Sequence, residues 1–188
     1  MKNIAVFASG EGTNTQHLID RFKGSQVKVA LVVCNNPEAL VLKRAADNGI
    51  ASLLIERATF FNGNSVLDKL AEHKIDLIVC AGFLWKIPDS LLRAFPDRII
   101  NIHPALLPKF GGKGMYGPHV HKAVIEAGET ESGITIHYLN EHYDEGRIIL
   151  QKKCKVDKSD TAEMLARKVQ SLEHEWYPGA IEEQILKI

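Results

Sequence analysis

Short apolar runs bounded by turn-forming residues recur at residues 4–8, 27–34, 52–55, 77–80 and 99–102, and the apolar positions between them take helical spacing. Leu18, Ile19 and Phe22 share one helix face. Leu40, Val41, Arg44 and Ala45, then Val66, Leu67, Leu70 and Ala71, repeat the i, i+3, i+4 pattern of two further helices. Continuous apolar strands alternating with amphipathic helices predict a parallel sheet covered on both faces. Right-handed crossovers make this a doubly wound, Rossmann-like α/β fold.

The second half changes character. Residues 133–139 and 147–156 are strand-like runs joined by a polar connection too short for a helix, so they are expected to pair antiparallel. Beyond Asp160 and Thr161, read as caps, a closing helix carries Met164, Leu165, Val169, Leu172 and Trp176 until Pro178 interrupts it. That helix should dock on the sheet. Residues 109–117 are glycine-rich enough to form a mobile surface loop.

The chain has 188 residues, 45% hydrophobic and 24% charged, which suits one buried core and a single domain over residues 1–188. Lys+Arg 23 balances Asp+Glu 23, so the basic footprint needed for nucleic-acid binding is absent. The apolar run at 4–8 is shorter than a secretory core, and the longest, 77–85, is too short for a bilayer. A cytoplasmic protein without nucleic-acid or membrane partners is expected. Cys34, Cys80 and Cys154 are widely spaced in apolar surroundings and read as small core hydrophobes.

Candidate chemistry concentrates after the strands. Ser9-Gly10-Glu11-Gly12-Thr13-Asn14 joins the first strand to the first helix. It suits either a phosphate cradle built on helix N-terminal amides or a tight turn that binds nothing. It is neither a dinucleotide fingerprint, since Thr15 stands where the third glycine would be, nor a Walker A loop. Asn101-Ile102-His103-Pro104 ends the fifth strand, and strand alternation puts Asn101 and His103 on one face. An amide donor and an imidazole so placed can bracket a carbonyl, though two satisfied polar side chains would look the same. Asp144 lies in the polar connection between the antiparallel strands, where it is either a turn former or a carboxylate folded back onto His103. His119 and His121 would diverge on a helix, which argues against a metal pair. Glu173 and His174 read as a solvated helix face by pattern.

The ordered set Ser9-Gly-x-Gly-Thr-Asn14, Cys80-Ala-Gly-Phe83, Asn101-Ile-His-Pro-Ala-Leu-Leu-Pro108, Asp144-Glu-Gly146 and Gln170-x-x-Glu-His174 spans essentially the whole chain. It resembles the formyltetrahydrofolate-dependent formyltransferase family, in particular its members that formylate phosphoribosylglycinamide. The resemblance implies formyl transfer from 10-formyltetrahydrofolate, as co-substrate and without a metal, to the glycinamide amine in purine biosynthesis. It also implies a catalytic trio of Asn101, His103 and Asp144. Gly12, Thr13, Asn14, Gln170 and Glu173 would hold phosphoribosylglycinamide. The folate would lie against Leu84, Trp85, Lys86 and Ile87, against Asn140, Glu141, His142, Tyr143 and Asp144, and beside Asn101. Hydrolysis of formyltetrahydrofolate by the same residues is the alternative.

Length separates the relatives with a further C-terminal domain or an N-terminal regulatory domain, and the phosphate loop favours a small phosphorylated acceptor over tRNA. The pattern departs from the family at three places. Ala105 stands where many members carry serine, residues 111–117 form a longer loop than in some, and Arg57 is not matched to the arginine that some use on the folate tail.

Overall fold

The computed structural model describes residues 1–188, which form two compact units: Met1–Ile100 with Ile181–Ile188, and Asn101–Ala180. The first contains β1 (Lys2–Ala8), α1 (Thr13–Phe22), β2 (Val27–Cys34), α2 (Leu40–Asp47), β3 (Ala51–Leu54), α3 (Arg57–Asn62), α4 (Ser65–Glu72), β4 (Leu77–Cys80) and α5 (Asp89–Ala94). Strand β5 (Ile99–His103) leads into the second, which holds α6 (Pro118–Glu126), β6 (Glu131–Tyr138), β7 (Ile148–Lys155) and most of α7 (Ala162–Ile185). The strands form one seven-stranded sheet in the order β3-β2-β1-β4-β5-β6-β7. No helix is long and apolar enough to cross a membrane.

In the first unit β1 pairs in parallel with β2 and β4, and β2 with β3. Ile4, Ala5, Val6, Phe7 and Ala8 are wholly buried, as expected for a strand covered on both faces. Strand order reverses between β1 and β4, the position at which open α/β sheets leave a crevice beyond the carboxyl ends of their strands. The loops after these two strands are tied together there. Ser9 N donates to Gly82 O at 3.1 Å, and Leu84 N donates to Ser9 Oγ at 2.9 Å.

In the second unit β6 and β7 pair antiparallel, as the sequence predicts. Strand β6 is almost entirely buried, whereas β7 alternates and places Lys152, Lys153 and Lys155 on the last strand of the sheet. Edge charges of this kind discourage pairing with other chains. Thr161 begins α7, its Oγ1 accepting from Met164 N at 3.2 Å.

Several expectations need correction. Helix α7 runs through Pro178 without a break. The proline removes one backbone donor, at a cost of about 3 kcal/mol, but Tyr177, Ala180, Ile181 and Ile185 are buried around and beyond it, and that burial offsets the cost. Leu40 is 48% exposed because the buried stripe of α2 is Val41 and Ala45. Strand β3 begins and ends one residue earlier than expected. Cys34 and Cys80 are core residues, but Cys154 is only half-buried on β7. Helices α3 and α5 have six residues each, too few to show helical periodicity.

Candidate active site

At the end of β5, strand alternation turns Asn101 and His103 to one face, leaving Asn101 half-buried and His103 buried. Asn101 Nδ2 donates to Nε2 of His137, a fully buried residue of β6, at 3.2 Å. His137 Nδ1 in turn donates to the Tyr138 carbonyl at 3.0 Å. His103 Nε2 donates to the Phe110 carbonyl at 2.7 Å, and its Nδ1 lies 3.6 Å from Asp144 Oδ2. Burial lowers the pKa of His137 despite the opposing influence of the Tyr138 carbonyl and Asp144, and nearby His103 lowers it further. His121 on α6 is also buried, and burial and then His103 lower its pKa.

Asp144 adopts a left-handed backbone, φ 56°. Its Oδ2 accepts from Gly112 N at 2.8 Å, and its Oδ1 lies 3.7 Å from His137 Nε2. Gly111 permits this approach: a Cβ there would lie 2.5 Å from Leu107 Cδ2 and 3.3 Å from Asp144 Cβ. The segment expected as a mobile surface loop is therefore fastened at residues 110–112, through Phe110 O on His103 and Gly112 N on Asp144. Asn101, His103 and Asp144, found by motif, come together around one further residue, His137.

His137 was not among the residues singled out from sequence, and neither were Thr135 and Gln151. Thr135 Oγ1 donates to Ala105 O at 2.7 Å and accepts from Leu107 N at 3.0 Å. Gln151 Nε2 donates to Thr135 Oγ1 and to Leu107 O, both at 2.9 Å. This network, whose Thr135 is buried, fixes the chain leaving His103. The available signal was two polar residues, Thr135 and His137, at period-two spacing within the apolar run Ile134, Ile136 and Tyr138.

The Ser9–Asn14 loop lies in the first unit. Gly12 precedes α1 with φ 71°, and a Cβ there would come within 2.9 Å of the Val41 Cα. The loop is also held by Val41 N donating to Gly10 O at 3.1 Å and Arg44 Nε donating to Glu11 O at 2.8 Å. No side chain caps α1 and its first turn, containing Thr13 and Asn14, holds no acidic residue, so its N-terminal amides suit an anion. Gln170 and Glu173 stand one turn apart on α7 in the second unit.

Beyond β4, Leu84 is 55% exposed while Ile87 is buried. Trp85 packs against Phe60, Phe61 and Phe83, with the Arg57 guanidinium 5.7 Å from its ring centre and 5.3 Å from that of Phe61. Lys86, Ile87 and Arg93 line a groove of about 370 Å³ beside Phe61. In the second unit, the 140–144 connection begins with Asn140 Oδ1 accepting from His142 N at 2.9 Å, Glu141 lies 3.8 Å from His142, and Tyr143 is exposed. His119 meets the Tyr116 ring edge-on while His121 is buried near His103, so the two histidines diverge. No cluster of three or more His, Cys, Asp or Glu residues suited to a metal ion is present.

A doubly wound sheet carrying an amide, an imidazole and a carboxylate beyond its strand ends has the parts for acyl-type transfer, and the chain belongs to the formyl transferase family, whose pattern matches residues 2–181. It is 42% identical to the chloroplastic phosphoribosylglycinamide formyltransferase of Arabidopsis thaliana, over 99% of this chain and 67% of that protein. It is 39% identical to the phosphoribosylglycinamide formyltransferase of Bacillus subtilis (strain 168), over 97% of this chain and 94% of that one. The crystal structure of phosphoribosylglycinamide formyltransferase from Anaplasma phagocytophilum superposes with a TM-score of 0.90 at 33% identity, covering 99% of this chain and 88% of that one.

Proposed function

We propose that this chain transfers the formyl group of 10-formyltetrahydrofolate to the amine of phosphoribosylglycinamide, a step of purine biosynthesis. The observation that carries the reading is the convergence of Asn101, His103 and Asp144 in a chain that aligns over nearly its whole length with proteins of that name. The folate supplies the formyl group. The residues of this chain bind, orient and move protons around it.

When an amine adds to a formyl carbonyl, negative charge grows on the oxygen. Asn101 Nδ2 has two hydrogens, one engaged by His137, and the second serves that oxygen. His103 serves as the proton carrier: the amine nitrogen loses a proton, the bond from the formyl carbon to the folate nitrogen breaks as the oxyanion collapses, and that nitrogen takes up a proton as tetrahydrofolate leaves. The His103 Nε2–H is directed at Phe110 O here, so substrate must take the place of that carbonyl. Asp144 stabilises the imidazolium by charge, and no step calls for a metal. Gly12, Thr13 and Asn14 receive the substrate phosphate at the start of α1, and Gln170 and Glu173 bind the remainder of phosphoribosylglycinamide. Leu84, Trp85, Lys86 and Ile87, with the 140–144 connection, receive the folate. Small-molecule partners and a cytoplasmic setting complete the proposal.

The test follows tetrahydrofolate release with each substrate alone and with both. Release that requires phosphoribosylglycinamide supports formyl transfer. Release at the same rate without it would make the chain a hydrolase of formyltetrahydrofolate, and no release in any mixture would remove the catalytic reading.

A further inference from the structure

We infer that His137 is a positioning residue for the reaction: held as the neutral Nδ1–H tautomer by the Tyr138 carbonyl, it fixes the Asn101 amide with its NH₂ toward the oxyanion and leaves the Asp144 charge to His103. The inference rests on the reading of Asn101 as oxyanion donor.

The geometry leaves one consistent assignment of protons. A backbone carbonyl only accepts, so the 3.0 Å contact with Tyr138 O requires hydrogen on His137 Nδ1. In a neutral ring Nε2 is then bare and accepts, and the atom of Asn101 facing it at 3.2 Å is the donor Nδ2. Were the amide turned over, Oδ1 would face a bare nitrogen, two acceptors would be buried against each other, and the oxyanion would lose its donor. The ring is fully buried, which keeps the bond free of competition from water.

A second consequence concerns charge. Asp144 lies between two imidazoles, with Oδ2 3.6 Å from His103 Nδ1 and Oδ1 3.7 Å from His137 Nε2. A cationic His137 would compete for the carboxylate and turn a donor toward the Asn101 amide. Burial disfavours that cation by more than the Tyr138 carbonyl and Asp144 favour it, and His103 adds a smaller push in the same direction as burial. Of the two imidazoles, His103 is then the one that draws on the charge of the carboxylate, which also accepts from Gly112 N. Two histidines close to one aspartate thus take different work, one moving protons and the other remaining neutral.

The test combines spectroscopy with kinetics. Nitrogen-15 NMR of the histidine rings should show His137 protonated at Nδ1 alone across neutral pH; a proton on Nε2 would overturn the inference regardless of activity. His137→Leu, which cannot accept a hydrogen bond, should lower kcat by about tenfold or more, while the KM for each substrate moves less than about twofold. His137→Gln, whose carbonyl can accept from Asn101, should recover part of that loss and covers the case in which the leucine variant fails to fold. In an Asn101→Ala background His137→Leu should cause little further loss, because the partner through which it acts is gone. Losses that multiply independently would overturn the inference. Full turnover in Asn101→Ala would sink the site reading and this inference with it, whereas a damaged Asn101→Ala beside a fully active His137→Leu would sink this inference alone.

Discussion

Asp144 Oδ2 stands 3.6 Å from His103 Nδ1 while accepting a 2.8 Å hydrogen bond from Gly112 N. The first distance is too long for a hydrogen bond, so the carboxylate acts on the imidazole through charge. Asp144 is 13% exposed and His103 4%, which limits screening by water. The left-handed backbone of Asp144, φ 56°, is one that aspartate and asparagine tolerate better than most residues. A position whose sequence suits either a turn former or a carboxylate folded back onto His103 takes the second course and aims its side chain inward.

Asp144→Asn keeps the shape and the tolerated backbone and removes the charge. It is expected to lower kcat by about 100-fold and leave the KM for phosphoribosylglycinamide within about twofold, since charge on the imidazolium matters in the transition state. Steady-state kinetics with both substrates varied checks this. Wild-type turnover would return Asp144 to the role of a turn residue.

Asn101→Ala and His103→Ala should each reduce kcat by about 100-fold with the fold intact by circular dichroism. The double variant should lose less than the product of the two, because oxyanion stabilisation by Asn101 and proton transfer by His103 serve the same step. Strict multiplication of the two losses would mean that they serve separate steps.

The alternation of apolar runs made the parallel half of the sheet legible, and the short polar connection made the antiparallel pair legible, because burial on both faces and lack of room for a crossover both leave marks in a sequence. Asn101 and His103 were legible as a pair because two residues apart on a strand share a face. Asp144 was not, since a turn aspartate has the same sequence signature whether it faces water or an imidazole; only the family motif marked it. His137 and Thr135 escaped because a buried polar side chain in an apolar strand is recognised by its partners, and key ones lie far along the chain: Asn101 is 36 residues from His137, and Ala105 is 30 from Thr135. Pro178 misled for a related reason: local chemistry argues for a break, while tertiary burial of Tyr177 and Ile181 keeps the helix whole.

The loop before α1 calls for a charge test rather than a glycine test. Gly12→Ala would push a Cβ against Val41 at a left-handed φ, so it should cost about 1–3 kcal/mol of stability whether or not phosphate binds there. Asn14→Asp adds a negative charge in the first turn of α1 with little change of shape. It should raise the KM for phosphoribosylglycinamide about tenfold or more through repulsion of the phosphate, with the KM for the folate nearly unchanged. Equal changes in both would remove the phosphate from this loop.

The start of α7 carries a pH dependence of its own. Lys168 Nζ donates to Asp160 Oδ2 at 2.5 Å and to Asp157 Oδ2 at 3.0 Å, while Asp160 Oδ2 also accepts from Asp157 N at 2.8 Å. The hydrogen bond from Lys168, and then that from the Asp157 backbone, hold the Asp160 carboxyl below its ordinary range; Lys155 and Lys168 do the same for Asp157. A depressed carboxylate contributes stability that is complete above its unfolded pKa, about 3.9, and is lost as pH falls through the lower folded value. Asp160→Asn should therefore lower Tm at neutral pH, and the gap to the unaltered protein should close in acid, where both carry an uncharged group at this position. Melting curves from pH 7 down to strong acid decide it. Two Tm profiles that run parallel down to the acid limit would show that Asp160 contributes through shape alone and that its charge does not anchor the helix.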